Sequence, residues 1–114
     1  MMKYRILGNI LEINNKRVNL NSEIGNVLLY DQLLLVRIYN PSATRPIEQP
    51  FNNIYAFNKN AEIVWKINGI IHQNTYYGAM RLDGDNNVVV VDLSGVQYTI
   101  DIGNREVVHK RGIR

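Results

Sequence analysis

The sequence predicts an all-β fold, an antiparallel meander of about ten strands forming about two and a half propeller-like blades of four strands. Three observations carry this reading. Apolar residues alternate with polar ones or run in short blocks rich in Val, Ile and Tyr, and no stretch shows the periodicity of a useful helix. Polar turn signals separate these blocks at short intervals, as in Asn14-Asn15-Lys16-Arg17, Asp31-Gln32 and Ser94-Gly95. The pattern also recurs: Leu11, Tyr55 and Tyr98 stand 43 to 44 residues apart, and Asn14, Asn58 and Asp101 follow each three residues later. That spacing is typical of a four-stranded propeller blade. A β-sandwich in which the recurrence is coincidental is the alternative architecture.

In chain order, Ile10 to Ile13 and Val18 to Leu20 form a first hairpin, and Val27 to Tyr30 with Leu33 to Tyr39 a second. The segment Asn40 to Asn52 holds all 3 prolines, Pro41, Pro46 and Pro50. Proline cannot donate to a ladder, so this segment is expected as a long loop. The clearest hairpin, Ile54 to Phe57 with Ile63 to Trp65, follows it. Asn68 to Thr75 makes a second loop, Tyr76 to Leu82 pairs with Val88 to Leu93, and Val96 to Ile102 leads to a last strand, Glu106 to Lys110, before a basic tail, Arg111 to Arg114. Trp65 is expected in the core, alternating with Ile63 and Ile67, its indole N–H bonded to a carbonyl.

Tyr55-Ala56-Phe57 and Trp65 resemble the repeat of the PQQ-type propeller family, in which a Tyr-Ala-Phe/Leu strand is followed by a turn and a Trp. The likeness spans about 15 residues; Ala61 stands at the usual glycine, and His109 replaces the Trp in the next copy. It implies blade architecture. The family holds its quinone at the centre of a closed ring, which this chain is too short to build, so no cofactor is expected.

Composition narrows the function classes. With 114 residues the chain is read as a single domain, residues 1–114. No apolar run approaches the roughly 20 residues that cross a bilayer, and the apolar core of a signal peptide is missing after Met1-Met2-Lys3-Tyr4-Arg5. A cytoplasmic protein with no membrane partner is the expectation. The absence of cysteine excludes disulfides, thiolate metal sites and cysteine nucleophiles. A net charge of +3 with interspersed acids favours acidic partners mildly, and the scatter of the 13 basic residues argues against a nucleic-acid surface.

In a meander, loops alternate between two ends of the sheet. Asn21 to Asn26, Asn40 to Asn52 and Asn68 to Thr75 then share one end, and long loops on a rigid scaffold are where binding is usually placed. The candidate partner-binding residues there are Tyr39, Arg45, Glu48, Phe51, His72, Tyr76 and Tyr77. Tyrosine and arginine combine packing area with hydrogen-bonding groups, which suits interface anchors. No catalytic residues are assigned, because His72 and His109 have no carboxylate or hydroxyl at a spacing that marks a nucleophilic or metal site. Asp83, Asp85 and Asn87 have the one-three-five spacing of a calcium loop, but Gly84 is misplaced and Ser94 stands where the bidentate glutamate belongs. That stretch is read as a turn, and no metal is expected.

An incomplete propeller keeps blade faces and strand edges that a closed ring covers, so a protein partner or a second copy is expected on them. In size, composition and architecture the chain resembles the immunity proteins that neutralise bacterial toxins, including those of contact-dependent growth inhibition. That resemblance implies a non-enzymatic module whose partner is a cognate toxin domain, bound over its active site. The alternatives are a ligand-binding protein or enzyme with a pocket between the full blades, using Asp83, Asp85 or His72, and a homo-oligomeric structural module such as a homodimer.

Overall fold

The computed structural model describes residues 2–84 and 86–112. Its strands are β1 (Tyr4–Leu7), β2 (Ile10–Ile13), β3 (Lys16–Asn19), β4 (Glu23–Tyr30), β5 (Leu33–Tyr39), β6 (Ile54–Phe57), β7 (Ile63–Lys66), β8 (Tyr77–Asp83), β9 (Asn87–Asp92), β10 (Val96–Asp101) and β11 (Glu106–Gly112). They form three antiparallel meanders, β1-β2-β3, β4-β5-β6-β7 and β8-β9-β10-β11, with every strand beside its neighbour in sequence. The chain is thus all-β, with two short 3-10 turns, Pro46–Glu48 and Ile67–Gly69, among the described residues. The first sheet has one strand more than expected, because β1 precedes the Gly8-Asn9 turn, and Arg111 belongs to β11 rather than to a tail. Asp85 of the proposed ligand pocket, and Ile113 and Arg114 of the tail, lie outside the described residues.

The three sheets stack face to face. Leu11, Ile13 and Leu20 of the first sheet region pack against Leu34, Val36, Ile38 and Phe57 of the second. On the second sheet's other face, Leu35, Ile54, Ala56 and Trp65 pack against Tyr77, Met80, Val88, Val90, Tyr98 and Ile100 of the third. The middle sheet is covered on both sides, so β5 must be apolar at successive positions, which explains its continuous run Leu33-Leu34-Leu35-Val36. Each such side chain contributes about 1.5–3 kcal/mol by leaving water.

The 43 to 44 residue recurrence is visible in detail between the second and third sheets. Lys66 lies over Tyr55 and Lys110 over Tyr98, with the ammonium 5.1 and 5.6 Å from the ring centre. Burial raises the pKa of both phenols. Both outer strand pairs carry a β-bulge, between Ala56 and Phe57 and between Thr99 and Ile100. The first copy is out of step. Tyr55 and Tyr98 face the preceding sheet, whereas Leu11 faces the following one, so Leu11 is not their structural equivalent. The β7 bulge also corrects the expected alternation: Ile63 sits opposite Phe57 and Trp65 opposite Ala56, which puts them on opposite faces and leaves Ile63 exposed. Trp65 is buried as expected, but its indole N–H has no partner among the described residues.

Ala61, at the position where the resembled repeat has glycine, adopts φ +62°, and Arg105, 44 residues later, adopts φ +54°. The left-handed region costs a residue with a Cβ roughly 1–2 kcal/mol.

The most buried tie between the second and third sheets is a single side chain. Asn53 is completely buried; its Nδ2 donates to the carbonyls of Ile38 and Tyr77, both at 2.9 Å, and its Oδ1 accepts from the Tyr77 N–H at 2.9 Å. The Asn53 carbonyl accepts from Ile38 N–H at 3.0 Å, and its neighbour Asn52 donates its N–H to Thr75 at 2.9 Å. Asn26 on β4 adds a second tie, donating to the Met80 carbonyl at 2.8 Å.

Asn53→Ala strands two carbonyls and an N–H in the core, so urea unfolding should show a loss of at least about 3 kcal/mol, against under about 1 kcal/mol for Asn58→Ala in an exposed turn. Arg105→Gly should raise stability by up to about 1 kcal/mol, because relief of the left-handed strain exceeds glycine's entropic cost; an unchanged or lower melting temperature would remove the strain argument.

Candidate protein-binding face

Hydrogen bonds place the loops at two ends. At one end the short turns meet: Asn14 Nδ2 donates to the Lys59 carbonyl at 3.0 Å, and the Tyr30 hydroxyl donates to Asn86 Oδ1 at 3.0 Å. At the other end the long connections meet. Residues 21 and 22 share a cleft of about 430 Å³ with Tyr39, Ser42 and Pro50, and Asn68 N–H donates to Asn52 Oδ1 at 2.9 Å.

The proline-bearing loop on that end is held by its own polar groups. Asn40 N–H donates to Gln49 Oε1 at 2.8 Å and Gln49 Nε2 donates to the Asn40 carbonyl at 3.2 Å, a reciprocal pair that closes the loop's base. The Glu48 carboxylate accepts from Thr44 N–H, Thr44 Oγ1 and Arg45 N–H at 2.9–3.0 Å. The Thr44 backbone N–H, then its hydroxyl, then the Arg45 N–H hold the Glu48 pKa below its ordinary value. The loop therefore has little freedom left to lose. At its tip stand Arg45, exposed, and Ile47, the most exposed large apolar side chain among the described residues at 68%.

The residues expected here take different places. Arg45 and His72 are exposed on the long-loop end, and Phe51 is half-buried. Glu48 is exposed, but its carboxylate is taken up by Thr44 and Arg45 of its own loop. Tyr39 is half-buried, its hydroxyl 3.4 Å from Glu23 Oε2. Tyr76 is half-buried and accepts from Arg37 Nη1 at 3.2 Å, while Arg37 Nε donates to Asn26 Oδ1 at 2.7 Å. This Arg37 group needs Gly25: a Cβ there would stand 2.5 Å from the guanidinium. Tyr77 is the correction. It opens β8 facing inward, is completely buried against Tyr98 and presents nothing to a partner. Burial, with smaller effects of Tyr98 and Asp92, pushes its phenol pKa far up. Ile47 was missed because an isolated Ile between Pro46 and Glu48 carries no periodic signal. Only the bonds that fix the loop reveal it as a tip.

The family profile of a domain of unknown function, DUF7957, matches residues 1–111, nearly the whole chain. The chain belongs to the DUF7957 family. No curated protein matches it.

The outward faces of this DUF7957 domain carry polar groups where the middle sheet carries apolar ones. On the third sheet Thr99 and His109 pair as Ala56 and Trp65 do in the second. Arg81 reaches across β9 to Gln97, whose Oε1, with the amide turned toward the arginine, accepts from both terminal guanidinium nitrogens at 2.8 and 3.1 Å. On the first sheet Arg5 and Arg17 donate to the two oxygens of Glu12 at 3.0 and 3.1 Å. Arg5, then Arg17, lower the Glu12 pKa. Both end sheets thus carry polar groups on their outward faces, as terminal repeats of a stack do, beside apolar residues such as Leu7, which is 41% exposed. The layer between the second and third sheets is filled by apolar side chains. Among the described residues no group of three or more His, Cys, Asp or Glu could hold a metal, and no helix is long and apolar enough to cross a membrane.

Glu48→Gln should loosen the loop while leaving global unfolding nearly unchanged, read as faster amide exchange at Thr44 and Arg45. A depressed folded pKa means the carboxylate's contribution is full above its ordinary value of 4.5 and is lost as pH falls through the folded value. The Thr44 and Arg45 amide shifts should therefore titrate together below pH 4.5 in the wild type and stay flat in the variant.

Proposed function

We propose that the chain is a non-enzymatic protein-binding module, and more narrowly an immunity protein that neutralises a cognate bacterial toxin in the cytoplasm by binding over its active site. The observation that carries the binding reading is the ordered loop Asn40 to Pro50, which presents Arg45 and Ile47 at its tip. A rigid loop avoids much of the ordering cost of association, about 0.5–1.5 kcal/mol for each side chain that need not be immobilised. Ile47 supplies an apolar anchor and Arg45 a planar cation for a carboxylate beside the anchor's pocket. His72, on the same end, widens the contact.

The mechanism is steric occlusion. The tip enters the toxin's substrate path, and an acidic rim there matches both Arg45 and the net charge of +3. The narrower immunity reading rests on small size, lack of cysteine and the all-β scaffold.

The test is co-expression with the protein encoded beside its gene, together with calorimetry on the purified pair. A 1:1 complex of nanomolar affinity that restores growth supports the proposal. The double variant Arg45→Ala with Ile47→Asp should weaken binding at least 100-fold with the melting temperature within about 2 °C of wild type. Full affinity in that variant moves the contact elsewhere, and no binding to any neighbouring product ends the immunity reading.

A further inference from the structure

Among the described residues the first sheet has three strands where the other two have four. Its missing position lies beside β1, the counterpart of β4 and β8 on the inner side of the stack. Asn14 N–H donates to the Lys3 carbonyl and Lys3 N–H to Asn14 Oδ1, both at 2.8 Å. In an antiparallel ladder bonding alternates, so Arg5 and Leu7 also bond toward β2, and Tyr4 and Ile6 turn their N–H and C=O groups to the open edge.

The side chains agree with the backbone. Tyr4 and Ile6 pair with Ile13 and Leu11, so they face the layer between the first and second sheets. Leu29 on β4 pairs with Leu34 and faces the same layer. Tyr4, Ile6 and Leu29 are 42%, 43% and 47% exposed, whereas Leu28 and Tyr30, which face β8 on the other side of β4, are half-buried. Tyr4, Ile6 and Leu29 are thus among the large side chains left open, and a fourth strand would cover all three. On the outward face of the same sheet, one carboxylate, Glu12, serves two guanidiniums, Arg5 and Arg17, leaving positive charge in excess. A cleft of about 400 Å³ lined by Lys3, Tyr4, Arg5 and Glu12 adjoins the strand.

We propose that β1 accepts an extended acidic segment of another protein as the fourth strand of this sheet. Alternate apolar side chains of that segment cover Tyr4, Ile6 and Leu29, and its carboxylates lie beside Arg5. Main-chain bonds give such strand addition its affinity, and alternate side chains its selectivity. A second copy fits less well. Pairing β1 with itself so that Tyr4 meets Ile6 sets Arg5 opposite Arg5, and like charges directly opposed are destabilising. This edge is separate from the Arg45 and Ile47 tip.

The probe is the acetylated, amidated heptapeptide Val-Glu-Val-Glu-Val-Glu-Val, with its lysine counterpart as control, followed by amide NMR on the full chain. The glutamate peptide should bind at least tenfold more tightly than the lysine peptide and slow exchange of the Tyr4 and Ile6 amides at least tenfold. Ile6→Pro removes an outward N–H without touching the ladder to β2, so it should abolish binding and leave the net charge unchanged. If that variant does not fold, Arg5→Gln should weaken the glutamate peptide at least threefold. The Arg45→Ala, Ile47→Asp variant should bind the peptide as wild type does, which separates this edge from the loop face. Equal affinity for the two peptides, binding that survives Ile6→Pro, loss of binding in the loop variant, or protection of the same amides in a peptide-free dimer would each overturn the proposal.

Discussion

The stack depends on the buried amide of Asn53. Two sheets that meet face to face share apolar surface, but apolar contact has no direction and does not set how one meander is placed on the next. Asn53 supplies that direction by acting as one rung of a ladder, donating twice and accepting once across the interface. Because every polar atom of the side chain is used, its burial is stabilising, and a sliding motion would strand three groups at once. It also closes the base of the Asn40 to Asn53 connection, so the bond that aligns two sheets anchors the long loop.

A second constraint follows from stacking only three sheets. The middle one packs against a neighbour on each face, and the side chains it buries there are apolar. The end sheets each have one outward face, and the polar replacements fall there: Glu12 with its two arginines on the first, Arg81, Gln97, Thr99 and His109 on the third. His109 takes the place of Trp65 on a face that no further sheet covers among the described residues. What resembles a fragment of a ring carries polar groups on both outward faces.

Much of this was legible in the sequence. Hairpins declared themselves through alternating apolar runs bounded by Asn, Asp and Gly, and the repeat placed Tyr55 and Tyr98 correctly. What failed had physical causes. β1 has only the alternation Tyr4-Arg5-Ile6, too short to mark a strand by itself. The one-residue offset of Leu11 flips its face, since strand periodicity is two, and the bulge in β7 does the same to Ile63. Tyr76 and Tyr77 are adjacent and alike, yet the first lies against Arg37 and the second in the core, a parity that only the strand's register decides. Of the candidate site, Arg45 and the loop end were readable. The loop-ordering role of Glu48 and the tip position of Ile47 depend on hydrogen bonds that no spacing rule encodes.

The most direct test of the account is the solution mass of the chain across a wide concentration range, by light scattering on a sizing column. Polar end sheets predict a monomer of 13.2 kDa throughout. A stable oligomer at micromolar concentration that protects the outward faces, around Glu12 and Arg17 or Thr99 and His109, would contradict it, because those faces would then be interfaces and not finished ends.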